Sequence, residues 1–215
     1  MFRMNKLVFW TSSLYDITNI YWKSFIMEMI IEREIFADKD YSDQLLKSKE
    51  YSECNFSNCN FSGTEFTYSK FIDCNFKNCN LSNAKIDGCH FQDISFSGCK
   101  LLGLNFSKIS SFLLSMNFEE CIIRNCNFSN IKMPKTAFLR CKVIETYFTD
   151  TDLSGSDFSE SDLSKTEFHN SNLSKADFRS AINYSFDPRT NKVKDAKFSH
   201  PDVIGLLNYF DIEIE

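Results

Sequence analysis

Between Ser52 and Ser180 an apolar side chain returns at almost every fifth position. Phe56, Phe61, Phe66, Phe71, Phe76, Leu81, Ile86, Phe91, Phe96, Leu101 and Phe106 form one run, and Phe118, Ile123, Phe128 and their successors to Phe178 form a second. This period excludes both ordinary amphipathic patterns, because a helix needs apolar residues at a period of 3.6 and a flat strand at a period of 2. A strict five requires a short segment ending in a corner, repeated many times. The same phase is present at Phe36, Tyr41, Leu46 and Tyr51, so the repeat can begin near Ile31.

Two places before each centre stands a small or thiol-bearing residue, as at Cys54, Cys59, Thr64 and Ser69 early on and Ser156, Ser161, Thr166 and Ser171 later. Each unit therefore turns one large and one small side chain inward, often with Asn or Asp between them. Units such as CNFSN (54–58), TDLSG (151–155), SDFSE (156–160) and ADFRS (176–180) resemble the pentapeptide-repeat family. The resemblance implies an all-β solenoid, a right-handed quadrilateral β-helix with four pentapeptides per coil, expected here over residues 31–182 as roughly seven coils. Coils about 4.8 Å apart would set residues n and n+20 in ladders. Phe118, Phe138, Phe158 and Phe178 would then share one stack, and Phe128, Phe148 and Phe168 the opposite one. Of 23 Phe, 17 fall at centres, which assigns most of them to the core rather than to a binding surface.

The nine cysteines would suggest a disulfide framework in a small secreted protein, but all nine occupy the small inward position. There a free thiol acts as a small buried hydrophobe, and an odd number without a secretory signal favours a reducing cytoplasm. Zinc is the sharper alternative, because C-x4-C recurs at Cys54/Cys59, Cys74/Cys79 and Cys121/Cys126. These spacings are wider than the usual structural ones and no His pattern accompanies them, so no metal or other cofactor is expected. His90, His169 and His200 are not placed with a nucleophile, and no phosphate-cradling glycine loop is present, so catalysis is not expected either.

Three segments stand outside the repeat. Residues 1–30 read as an N-terminal extension, either a cap on the open coil or a segment upstream of a start at Met27 or Met29, the second being favoured; they form neither a signal h-region nor a membrane span. Between Phe106 and Phe118 the phase slips by two residues, which predicts a loop at 107–115 with Phe112, Leu113 and Leu114 as its apolar content. Residues 183–215 read as a C-terminal capping module: a short helix opened by Pro201, with Val203, Ile204, Leu206, Leu207 and Phe210 as its apolar face, then a last strand through Ile212 and Ile214. In Qnr-type members of the family, which bind bacterial type II topoisomerases, comparable loops contact the enzyme and a similar tail joins two subunits. That resemblance implies a homodimer through the five apolar residues and a loop that either fills core or meets the partner.

The charge is uneven. Residues 145–215 carry 14 acids against seven bases, a net of −7 in a chain of −5 overall. Within Glu145 to Tyr184, eight acids face three bases, so −5 is spread over roughly 10 Å of axis, near the ~1.7 Å per charge of duplex DNA. Asp150, Asp152, Asp157, Asp162, Glu167 and Asp177 are the expected acidic, DNA-mimicking face. The function this implies is binding of DNA gyrase or topoisomerase IV in the place of DNA, protecting it from quinolones or toxins, with no direct contact to nucleic acid or membrane. The alternative is an interaction scaffold with no topoisomerase role.

Overall fold

The corner that a five-residue period demands is a single residue in the left-handed region. Two positions after nearly every centre φ is positive, at 53° for Asn58, 54° for Asp150, 52° for Arg140 and 69° for Gly155. Asn and Asp tolerate this region, and half of the non-glycine residues with positive φ are of these two types. At Arg140 or Glu145 the conformation costs about 1–2 kcal/mol. It is offset because the corner N–H finds an acceptor in the next coil, as when Arg140 N donates to Ser159 O at 3.1 Å. Gly88 has a second reason to lack a side chain, since a Cβ there would lie 2.4 Å from the Tyr68 ring one coil away.

The computed structural model describes residues 30–210, 212 and 213. They form a four-sided parallel β-solenoid. Each side is a strand of two to four residues or a single bridge, paired with the side one coil before and one coil after. The register steps by 20, as in Phe56↔Phe76 and Phe148↔Phe168, except across the slip, where Phe96 pairs with Phe118 and Lys100 with Ile122. The ladder is intact through Ser107–Ser110: Gly88 N donates to Lys108 O, and Ser110 N to Cys89 O. The excursion is therefore Ser111–Leu114, shorter than the expected 107–115. The two extra residues are absorbed at one corner because a 3-10 turn at Phe106–Lys108, capped by the Asn105 side chain, keeps Ile109 in the inward position before the chain leaves the coil.

Inside, Phe36, Phe56, Phe76, Phe96, Phe118, Phe138, Phe158, Phe178 and Phe198 form one unbroken column with centroids 4.7–5.2 Å apart. Phe106, Phe128, Phe148 and Phe168 stack opposite at 4.3–5.1 Å, and the columns meet edge to face, as Phe138 does with Phe148 at 5.8 Å. Such ring pairs contribute about 0.5–1.5 kcal/mol each beyond the area they bury. The other two sides of the later coils are aliphatic: Ile123, Val143 and Leu163 on one, Met133, Leu153 and Leu173 on the other.

The coil does not end at residue 182. Leu173 N donates to Lys192 O and Phe178 N to Lys197 O, so residues 191–198 are a further partial coil, and the cap is confined to the chain beyond Phe198. The phase lost at Asn183 and Pro188 is replaced by Tyr184 and Phe186, both buried, with Phe186 5.3 Å from Phe168. The expected short helix is a 3-10 helix at Asp202–Tyr209, and Leu206 is its buried residue, with Val203 packed against the core. Ile212 is exposed and outside any strand. Of the expected extension at 1–30, Ile30 opens the first strand, Ile30–Glu32, and residues 1–29, like Ile214 of the expected last strand, lie outside the described residues.

Phe138 sits between two stacked rings and is fully buried. Its replacement by Ala is expected to remove about 3–5 kcal/mol of stability. An unchanged urea midpoint in the Phe138→Ala variant would contradict this account of the core.

Candidate functional site

A five-residue step on a four-sided coil turns the chain to the next side, so acids five residues apart point in different directions. Asp157 lies on the side of the long Phe column, Asp162 on that of Val143, Glu167 on that of Phe148 and Asp152 on that of Met133. The expected single acidic face is corrected in this respect: of the six acids, only Asp157 and Asp177 share a ladder. Counting each corner with the side it ends, Glu145 to Tyr184 carries −2 on the first side (Asp157, Glu160, Asp177, Arg179) and −1 on the second (Glu145, Asp162, Lys165). It carries −2 on the third (Asp150, Glu167) and zero on the fourth (Asp152, Lys175). The acid therefore wraps three sides.

Several of these carboxylates also hold the backbone. Asp152 Oδ1 accepts from Ser154 N at 3.0 Å, Asp157 Oδ1 from Ser159 N at 2.9 Å, and Asp162 Oδ1 from Ser164 N at 3.1 Å. Asn60, Asn80 and Asn127 make the same Asx turn elsewhere, so Asp and Asn are geometrically interchangeable at this position and the choice of Asp adds charge alone. The like-charge contact between Asp157 and Asp177 is relieved by Arg179, 2.7 Å from Asp177, and by Lys197 at 3.8 Å. Arg179's hydrogen bonds hold the Asp177 carboxyl below the usual carboxylate range.

In the excursion, Phe112 and Leu113 are exposed, Leu114 is half-buried against the core, and the Phe112 ring lies 5.9 Å from that of His90. The five cap residues divide. Leu206 and Val203 are spent on closing the coil, Ile204 is half-buried, and Leu207 and Phe210 remain exposed beside Tyr209. Leu206 is thus corrected from an interface residue to a lid residue. Sequence reasoning missed Tyr209 because its place is set from a distant part of the chain: the Arg189 guanidinium donates to Tyr209 O at 2.9 Å and lies 4.9 Å from the Phe210 centroid.

All nine thiols are free and buried. Cys59, Cys79, Cys99, Cys121 and Cys141 occupy one column, one per coil, and Cys54 and Cys59, the first C-x4-C pair, precede centres on adjacent sides. Among the described residues no group of three or more His, Cys, Asp or Glu is arranged to hold a metal ion, and no helix is long and apolar enough to cross a membrane.

Burial pushes the Cys74, Cys89 and Cys126 thiols from 9.0 up to about 12. The folded chain thus keeps protons that the unfolded chain releases, so this stabilisation is complete below pH about 9 and is lost as pH rises towards about 12. Urea denaturation at increasing pH should show stability falling over that window. Replacing the three residues by Ala should flatten the fall, and an unaltered slope would contradict the assignment.

The family model described as a pentapeptide repeat region matches residues 49–111 and 109–178. No curated protein matches the sequence. Among solved structures, two trypsin-treated forms of QnrB1, a plasmid-mediated fluoroquinolone resistance protein, are similar at 19% and 22% identity. They superpose with TM-scores of 0.57 and 0.58, each covering 86% of this chain and 100% and 91% of theirs. HetL, a pentapeptide repeat protein involved in heterocyst differentiation regulation in the cyanobacterium Nostoc, is similar at 13% identity and a TM-score of 0.56, covering 83% of this chain and 90% of its own. At these identities the likeness is one of fold.

Proposed function

The chain belongs to the pentapeptide-repeat family, and on that premise we propose that it is a non-catalytic interaction rod that occupies the DNA-binding saddle of a bacterial type II topoisomerase. The observation that carries the reading is the three-sided distribution of acid. Over two coils, roughly 10 Å of axis, −5 falls on the sides of Asp157, Asp162 and Glu167, or one charge per about 2 Å. A duplex also presents its phosphates around its axis rather than along one ladder, so a basic groove that embraces these three sides together meets charge at comparable density. Asp152, Asp157, Asp162 and Asp177 are held on the ladder rungs by hydrogen bonds to nearby backbone N–H groups and need little ordering on binding.

In this reading two copies meet through the exposed part of the lid, Leu207, Tyr209 and Phe210, which brings both acid-rich ends together. Leu207→Asp is expected to give a monomer by sedimentation velocity with its melting transition retained. Leu206→Asp should lose stability instead. A wild type that is already monomeric at micromolar concentration would refute the dimer.

A supercoiling assay with purified gyrase, titrated with this protein with and without a fluoroquinolone, tests the partner. Binding is expected at low salt and should weaken as salt rises. Asp157→Asn, Asp162→Asn, Glu167→Gln and Asp177→Asn together should weaken it about tenfold or more while the Asn side chains keep the corner hydrogen bonds. Unchanged affinity in that variant, or no gyrase binding by the wild type, would leave the scaffold reading, with the excursion at Phe112 and Leu113 as its contact.

A further inference from the structure

The side built on Met133, Leu153, Leu173 and Val193 carries a set of cations that the fold does not use. Lys132, Lys135, Lys175, Lys192 and Lys194 are all exposed on it. Among the described residues none of the five makes an ion pair, whereas Lys70, Lys85, Lys108, Lys165 and Lys197 each pair with a carboxylate in a neighbouring coil. Asp152 and Asp195 share the side, so five bases against two acids leave +3. Asp152 is already engaged, accepting from Ser154 N and from Asn172 Nδ2, both at 3.0 Å.

The coil itself produces this placement. Lys132, Asp152, Asn172 and Lys192 are successive rungs of one ladder. Lys135, Gly155, Lys175 and Asp195 are the corners beside it, all with positive φ. Between the two rows lie Ser154 and Ser174, half-buried, whose hydroxyls make no hydrogen bond among the described residues. Lysines thus frame a low floor of hydroxyls. Sequence windows hide the cluster because its members are separated by coils: Lys132 and Lys135 lie before the acid-rich stretch and Lys192 and Lys194 after it.

The neighbouring sides limit what can lie there. Asp150 and Glu167 stand on one, and Asp157, Glu160 and Asp177 on the other. The basic side is about 10 Å wide and, from Lys132 to Lys192, roughly 14 Å long. A duplex or a lipid surface is wider than this and would meet the flanking carboxylates. We propose that this side docks an extended acidic polypeptide segment of about four or five residues, its carboxylates held by the lysine ammonium groups and the Ser154 and Ser174 hydroxyls. This docking uses a different side from the topoisomerase reading and stands or falls separately from it.

The probe is a fluorescein-labelled hexaglutamate peptide, followed by anisotropy against the full chain at low ionic strength. Binding is expected, falling with added salt and weakening about tenfold or more in the K132Q/K175Q/K192Q variant, whose melting transition should match the wild type because these side chains are exposed and unpaired. D152N, which keeps both hydrogen bonds and removes a carboxylate, should tighten it. No binding by the wild type, equal binding by the triple variant, or stronger lysine-dependent binding of an oligothymidylate or of phosphatidylserine vesicles would overturn the proposal.

Discussion

Everything in this protein depends on closing nearly every five-residue side with a left-handed corner, most of whose N–H groups bond to the next coil. Only that combination lets a strand of three residues be stable, because a segment so short has no stability except as a rung between two others. The corner's conformational cost is carried at Arg140 and Glu145 as well as at Asn and Asp positions, and ladder hydrogen bonds from the corner N–H offset it at these two. Once the corners are in place, two residues of each side turn inward, usually one large and one small, and the rings of successive coils fall one above another at the coil spacing.

The same constraint governs the surface. Neighbours on the outside are residues 20 or 22 apart, so charges that are close in sequence are separated in space and charges that are remote are brought together. The run of acids from Asp152 to Glu167 is dispersed around the rod. Lys132 and Lys192, three coils apart, come to flank the same strip. Partner recognition on such a rod is a property of a side, and each side can carry its own chemistry.

The fold was legible because the period of five is preserved over nearly the whole described chain, and the columns of Phe could be assigned by counting. Four features were hidden, each for a physical reason. The sequence ends the coil at 182 because Asn183 and Pro188 break the phase, whereas Tyr184, one place after the first expected centre, and Phe186, two places before the second, restore the buried volume. The sequence pattern marks a wider excursion than the structure has, because Ile109 keeps its inward place without a hydrophobic centre at Ser111 to mark it. The dispersal of the acids is hidden because a charge count along the chain averages over all four sides. In the lid, Leu206 and Leu207 are adjacent and chemically alike, and only the turn of the 3-10 helix separates the buried residue from the exposed one.

The central claim is that one coil repeats in register from the first run to the second, with the two extra residues absorbed between Ser110 and Met116. Spin labels on cysteines introduced at Lys77 and Arg179, both exposed on the side of the long Phe column and five coils apart, test it directly, since the native thiols are buried and escape labelling. Pulsed electron–electron double resonance should give a single narrow distance corresponding to a backbone separation of roughly 24 Å. A broad distribution, or a separation incompatible with five stacked coils, would contradict the account.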